Sequence, residues 1–287
     1  MSVSVITTAY NAEGTIRATV RSILEQDVED FEYVIVDDGS TDGTATVLEE
    51  FDDDRIRVIR LPERAGRPRA LNAALAAANR DFLANIDADD VSFPARLTHQ
   101  LKMLDADPTL GLVGGAYVTL EDGGDGWIVR PPTSHDAIVD SFATHFPICH
   151  SAVTYRRTAL AEAGGFNPRH RSRIDFDAWI RILAGGWRVQ QTPEIVTVHT
   201  KSPTSHFAQE YSVGRSAVEL FNRNVRAIHD LDLGVTGYAK ALARLGYSLT
   251  GRRQARRRFY GTEPDPAILT DAMALVGRRG ADLDGRR

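Results

Sequence analysis

One cysteine in 287 residues, Cys149, excludes an intrachain disulfide framework and any zinc site built on several thiolates. No apolar run approaches the roughly 20 residues that a bilayer-crossing helix needs. Positive charge is not in excess: 34 Lys and Arg against 39 Asp and Glu leave a formal net of −5. Such a chain lacks the basic footprint of a nucleic-acid binder. Two common phosphate-binding loops are also missing. There is no G-x-x-x-x-G-K-S/T segment, and the first predicted strand runs into Thr8-Ala9-Tyr10-Asn11 instead of a G-x-G-x-x-G turn. P-loop hydrolysis and dinucleotide-dependent hydride transfer are therefore set aside. The N-terminus opens directly into apolar alternation, without the basic start and cleavage site of a signal peptide, so a cytoplasmic location is expected. Hydrophobic residues at 43% and charged ones at 25% argue against disorder as the overall state.

What is present is an alternation of strand and helix. Val3–Thr8 reads as a buried strand, and Tyr33–Val36, Ile56–Ile59 and Phe82–Ile86 as three further strands. Between them Ile16, Val20, Ile23 and Leu24 fall at helical spacing, Ser40 to Asp42 offer N-caps for a helix reaching Phe51, and Arg69–Asn79 reads as a third helix. This predicts a parallel sheet covered on both faces. The pattern then becomes irregular. Leu112–Leu120 and Pro147–Tyr155 read as strands, Val189–Val198 as two short ones, and Phe176–Ala184 as a short helix. From Phe207 the chain reads as helical, with a stripe of Val218, Phe221, Val225 and Ile228 and a frayed tail from Gly277.

Acidic residues stand at the strand ends. Asp38 follows the second strand; Asp87, Asp89 and Asp90 follow the fourth. Ligands of open α/β sheets lie beyond the carboxyl ends of the strands. Carboxylates grip a pyrophosphate only through a hard cation such as Mg²⁺ or Mn²⁺. The D-x-D spacing of Asp87-Ala88-Asp89 lets one acid meet a metal while its neighbour bonds ribose or metal-bound water. Asp38 can accept an N–H from a pyrimidine edge, with Tyr10 stacking or packing beside it. The bland alternative is that these acids merely cap the helices that follow them.

Three segments carry a resemblance: Val5-Ile6-Thr7-Thr8-Ala9-Tyr10-Asn11, Val36-Asp37-Asp38-Gly39-Ser40-Thr41-Asp42-Gly43-Thr44 and Ile86-Asp87-Ala88-Asp89-Asp90. With Gly164-Gly165-Phe166 and Asp175-Phe176-Asp177-Ala178-Trp179-Ile180-Arg181 they resemble, in order, the signatures of family 2 glycosyltransferases with the GT-A fold. The likeness covers roughly residues 3–200. It implies an α/β fold with a GT-A-like, Rossmann-type nucleotide-binding sheet, a catalytic domain over 1–205, and a C-terminal helical extension over 206–287. Within the domain, about 1–110 would form the nucleotide-sugar half and about 111–205 the acceptor side. The implied reaction moves a sugar from a nucleoside-diphosphate donor, UDP-sugar favoured, to an acceptor hydroxyl with inversion.

On that resemblance Thr8, Tyr10 and Asp38 hold the nucleoside, Asp87 meets the ribose or metal shell, and Asp89 is the main ligand of Mg²⁺ or Mn²⁺. Arg69 approaches the base or phosphates, or is a solvated arginine at a helix start. The base is Asp175, with Asp177 the second choice. Ile174 departs from the acidic residue usual before that aspartate, and the loss bears on acceptor recognition. His150 and His199 fall where acceptor- or diphosphate-side residues occur, against a plain packing role for each. Trp179 can stack on a sugar or belong to the core. Arg252–Arg258, with five arginines in seven residues, offers peripheral contact with the inner membrane face or a solvated helix face. Two other readings are a sugar-phosphate nucleotidyltransferase and a non-catalytic sugar-nucleotide or glycan-binding module. The first lacks its Gly-rich basic loop at Ala9–Gly14; the second does not need Asp175.

Overall fold

The structure, a computed structural model, describes residues 2–121, 126–143, 147–170, 173–201, 229–234, 236–237, 239, 261–262 and 266–277. The predicted helical stripe Val218–Ile228, the arginine run Arg252–Arg258 and the tail beyond Gly277 lie outside them. Among the described residues no helix is long and apolar enough to cross a membrane.

The four predicted strands form: β1 (Val3–Ala9), β2 (Phe31–Asp37), β3 (Ile56–Arg60) and β4 (Phe82–Asn85). They are parallel and run β3-β2-β1-β4 across the sheet. Both faces are covered, as the near-continuous apolar runs require. Val34 and Val36 face one core cluster with Ile6 and Leu83, while Tyr33 and Ile35 face the other with Val3 and Val5. The second cluster packs under α1 (Ile16–Leu24), α2 (Thr44–Glu49) and α4 (Arg96–Ala106). The first packs under α3 (Arg67–Ala77), α5 (His135–Ser141), α6 (Arg157–Glu162) and α7 (Ile174–Ala184). Chain order reverses between β1 and β4, so their carboxyl ends border a crevice, the usual ligand position in such sheets.

The same sheet continues into the second half through β5 (Val91–Ser92), β6 (Leu110–Glu121), β7 (Gly126–Val129), β8 (Thr154–Arg156), β9 (Arg188–Lys201) and β10 (Gly261–Thr262). Three expectations change here. Val189–Val198 is one strand of 14 residues, β9, whose parallel pairing with β6 absorbs Pro193 by shifting register around Ala116. Pro147–Tyr155 is mostly not strand: a 3₁₀ turn at His150–Ala152 precedes a three-residue β8. α2 begins at Thr44 rather than at Ser40, because Asp37 Oδ1 accepts the Ser40 N–H and ties that turn to β2. A last helix, α8 (Pro266–Gly277), buries Ala272 against Ala18, Val118 and Val198, which docks it on α1, β6 and β9.

Candidate active site

The crevice at the ends of β1, β2 and β4 is laced by the polar residues of the sequence signatures. Asn11 is left-handed at φ 51, a conformation that asparagine tolerates. Its Oδ1 accepts the Thr41 N–H at 2.9 Å, and its own N–H donates to Ser40 Oγ at 3.0 Å. Glu13 Oε2 accepts the Gly43 N–H at 2.7 Å. Much of both signatures therefore serves to bind one turn to the other. Tyr10 remains 37% exposed, with the Arg64 guanidinium stacked 4.0 Å from its ring centroid. Thr8 is half-buried at the end of β1.

Asp38 is buried, and its carboxylate clamps the segment that leads into α3. Oδ1 accepts the Ala65 N–H at 2.7 Å and Oδ2 accepts the Gly66 N–H at 3.0 Å. A side chain on Gly39 would meet Arg64 N and Glu63 C at 2.6 Å, so only glycine lets that segment lie against β2 at φ +70. The clamp sets where α3 starts, and hence which arginine reaches the acids. That residue is Arg67, not Arg69. Arg67 Nη2 donates to Asp87 Oδ1 at 2.5 Å and lies 2.9 Å from His150 Nδ1. Arg69 is two residues further along the helix, about 200° around its axis, and stays exposed.

Asp87 also receives the Asn85 amide at 3.3 Å, and its backbone N–H donates to Ser151 Oγ at 3.1 Å. The 3₁₀ turn thus brings His150 back against the end of β4. Burial alone would raise the Asp87 pKa, but the Arg67 guanidinium holds it well below the usual carboxylate range. Asp89 shows the opposite. Burial, then repulsion from Asp90 and Asp87, pushes its carboxyl up to about 7. Oxygens of Asp87, Asp89 and Asp90 lie within 4.8 Å of one another. Asp90 is fully buried; Oδ1 accepts the Thr200 N–H at 2.7 Å and Oδ2 pairs with His199 Nδ1 at 3.1 Å. Burial works against charge on the His199 ring, yet Asp90, Asp89 and Asp87 together raise its pKa. Both β9 and β4 therefore contribute to the acidic cluster.

Asp175 lies in the first turn of α7, and its carboxylate accepts the Phe176 N–H at 2.9 Å. The fields of Asp87, Asp175 and Asp89 all act on Arg67, which ties the α7 N-terminus to the acids of β4. Ile174, just before it, is buried with Phe142 and Phe176, so that side chain completes the core instead of lining an acceptor surface.

Two residues of the α7 signature are corrected by their surroundings. Trp179 is 0% exposed, and its Nε1 donates to the Tyr155 hydroxyl at 2.9 Å; it has no face to offer a sugar. Asp177 is buried between Arg181, at 2.8 Å, and His170, at 3.3 Å, and so is engaged as a structural anion. Arg181 in turn donates to the Gly165 carbonyl at 2.8 Å, while Asn72 exchanges two hydrogen bonds with the Phe166 backbone. The Gly164-Gly165-Phe166 signature is thus a latch between α3, α6 and α7.

A residue that sequence reasoning passed over lies beneath the cluster. Arg96 is buried, and its guanidinium donates to Asn85 O at 2.7 Å, Val153 O at 3.1 Å, Ser92 Oγ at 3.1 Å and Gln100 Oε1 at 3.1 Å. It joins β4, β5, α4 and the segment before β8 beneath the acid-bearing loop. Burial lowers its pKa to about 10, so the group is cationic at neutral pH.

With that geometry established, comparison with known proteins identifies the family. The sequence pattern described as Glycosyl transferase family 2 matches residues 4–164, over half of the chain. The Escherichia coli UDP-Glc:alpha-D-GlcNAc-diphosphoundecaprenol beta-1,3-glucosyltransferase WfaP is 27% identical over 72% of this chain and 82% of its own. Among solved structures, residues 1–349 of S. aureus TarS in complex with UDP-GlcNAc superpose with a TM-score of 0.66 at 20% identity. That match covers 97% of this chain and 80% of TarS 1–349. The mannosyltransferase PcManGT from Pyrobaculum calidifontis, in complex with GDP-Man and Mn²⁺, gives 0.61 at 26% identity over 95% and 79% of the two chains. The fold is the GT-A fold of these neighbours, and the chain is an enzyme that belongs to glycosyltransferase family 2.

Proposed function

We propose that this enzyme transfers a sugar from a UDP-sugar to a hydroxyl of a lipid-linked glycan, with inversion at the anomeric carbon. The observation that carries the reading is the cluster of Asp87, Asp89 and Asp90 within 4.8 Å, at the crevice between β1 and β4 and beside Arg67. The names of relatives support the substrates: UDP-GlcNAc is bound by TarS, and WfaP is named as a glucosyltransferase from UDP-Glc to GlcNAc-diphosphoundecaprenol.

Thr8, Tyr10 and Asp38 are the nucleoside-side residues in this reading. The Tyr10 ring offers a base its face once Arg64 moves aside, and Asp38 has acceptor capacity beyond its two backbone bonds. The donor set of the cluster fits a hard divalent cation. Three carboxylates crowd together, and burial with repulsion from Asp90 and Asp87 raises the Asp89 carboxyl to about 7. Asp89 and Asp87 would hold that cation, which supplies charge neutralisation for a departing diphosphate. His150 and His199 border the cluster from opposite sides. Asp175 accepts the proton of the acceptor hydroxyl as it attacks the anomeric carbon, opposite the bond that breaks.

The stereochemistry tests the reading. An α-configured UDP-glucose or UDP-GlcNAc is incubated with a GlcNAc-diphosphoundecaprenol analogue, and the product is read by proton NMR. A β linkage with one UDP released per bond is expected; an α linkage, or UDP release with water as the only acceptor, contradicts it.

A pH dependence follows from Asp89. A carboxyl whose pKa stands near 7 is protonated below that value, and a cation must then displace the proton. Calorimetric titration of Mn²⁺ into the enzyme with saturating UDP should give an affinity that is flat above about pH 7. Below that it should weaken by about tenfold per pH unit. A flat profile from pH 5.5 to 8 would mean that Asp89 is not a ligand.

A further inference from the structure

One four-residue segment touches both ends of the crevice. Arg64 covers the exposed face of Tyr10, while Asp38 holds the N–H groups of Ala65 and Gly66. Arg67, the next residue, is ion-paired with Asp87 at 2.5 Å. The Arg67 side chain is about half exposed, at 47%, and its guanidinium is held by the Asp87 carboxylate and the ring nitrogen of His150. Gly66, between clamp and arginine, sits at φ +93 with open space where a side chain would point. Its N–H is held by Asp38 and its carbonyl accepts the Arg69 and Ala70 N–H groups, so any release of Asp87 comes from the Arg67 side chain and not from the backbone. Asp87 cannot give full charge to Arg67 and to a divalent cation at once, because the two positive charges repel at such range.

We propose that Arg67 holds the charge of Asp87 in the unloaded enzyme, so that the divalent cation loads together with the nucleotide and not ahead of it. This rests on the metal-assisted reading above. A nucleoside diphosphate seated beside Asp87 would compete with that carboxylate for the Arg67 guanidinium. Once released, the guanidinium is next to the diphosphate and becomes a donor to it, which a planar five-donor group does well. Arg67 is thus a specificity device for order of binding: it opposes free cation and favours the nucleotide–cation pair. Opposition to one ligand and support for the pair is a coupling free energy, measurable as a thermodynamic cycle.

The cycle is measured by calorimetry with MnCl₂ alone and MnCl₂ at saturating UDP, on the wild type, Arg67→Gln and Arg67→Lys. Thermal melts check that each variant is folded. Arg67→Gln is expected to bind Mn²⁺ alone at least about tenfold more tightly than the wild type. The enhancement of Mn²⁺ affinity by UDP should shrink by a similar factor, about tenfold. Arg67→Lys, which keeps the charge, should remain as weak as the wild type toward Mn²⁺ alone. Unchanged or weaker Mn²⁺ binding by Arg67→Gln, with UDP-dependent Mn²⁺ binding intact in the wild type, overturns this proposal and leaves the metal reading standing. Tightening by Arg67→Lys to the level of Arg67→Gln overturns it as well. If the wild type takes up no Mn²⁺ even with UDP, the metal reading itself fails and this proposal goes with it.

Discussion

Asp175→Asn is expected to lower transfer by about 10²–10⁴-fold, the usual cost of losing a general base. UDP affinity should change by less than about threefold, because the loss lies in the transition state and not in donor binding. The position of the residue explains the asymmetry. Asp175 stands in the first turn of α7, where its carboxylate accepts the Phe176 N–H at 2.9 Å. Its field reaches Arg67, and through it the acids that follow β4. The other acid of that turn, Asp177, is held by Arg181 and His170 and cannot take over the task. Single-turnover rates and UDP titrations on the variant check both halves of the expectation. Near-normal turnover would remove Asp175 from the chemistry.

The largest effect on stability is expected at Arg96. Arg96→Met fills a similar volume but leaves four oxygens, those of Asn85, Val153, Ser92 and Gln100, without their charged donor. A buried acceptor left unsatisfied costs about 1–3 kcal/mol, and relaxation recovers part of the sum. A net loss of roughly 3–5 kcal/mol of unfolding free energy is therefore expected from urea melts. Arg96→Lys should recover only part of it, since a single ammonium cannot fork to acceptors on four elements. A loss below about 1 kcal/mol would mean that water or a neighbour replaces the guanidinium. Because Arg96 donates to the Asn85 carbonyl, two residues before Asp87, the variant should also loosen cation binding.

Periodicity and strand-end chemistry made the nucleotide half legible. The β1, β2 and β4 runs are buried on both faces, and turn acids follow β2 and β4 whatever the rest of the chain does. The rest was hidden for physical reasons that differ from place to place. Choosing Arg69 over Arg67 was a matter of helix phase, and phase depended on the Asp38 clamp, which no spacing reveals. Arg96 carries no signal in the sequence, because two of its four partners are backbone carbonyls of β4 and the segment before β8, brought together only by the fold. The 3₁₀ turn at His150–Ala152 carries strand-like residues, and only its bond to the Asp87 N–H betrays its job. Trp179 and Asp177 share one signature with Asp175, yet their partners Tyr155, Arg181 and His170 make them structural. A motif thus marked the neighbourhood of the site, while burial separated the residues that reach the crevice from those that support it.

The most direct test of the central claim is calorimetric titration of UDP, TDP and GDP, each with Mn²⁺ and again with EDTA, on the wild type and on Asp89→Asn. The account predicts that UDP binds in preference to the other two, and that chelator or the substitution weakens it by at least about tenfold. UDP binding that is indifferent to EDTA and to Asp89→Asn would contradict it, and the three aspartates would then be no more than anchors for the loops that follow β4.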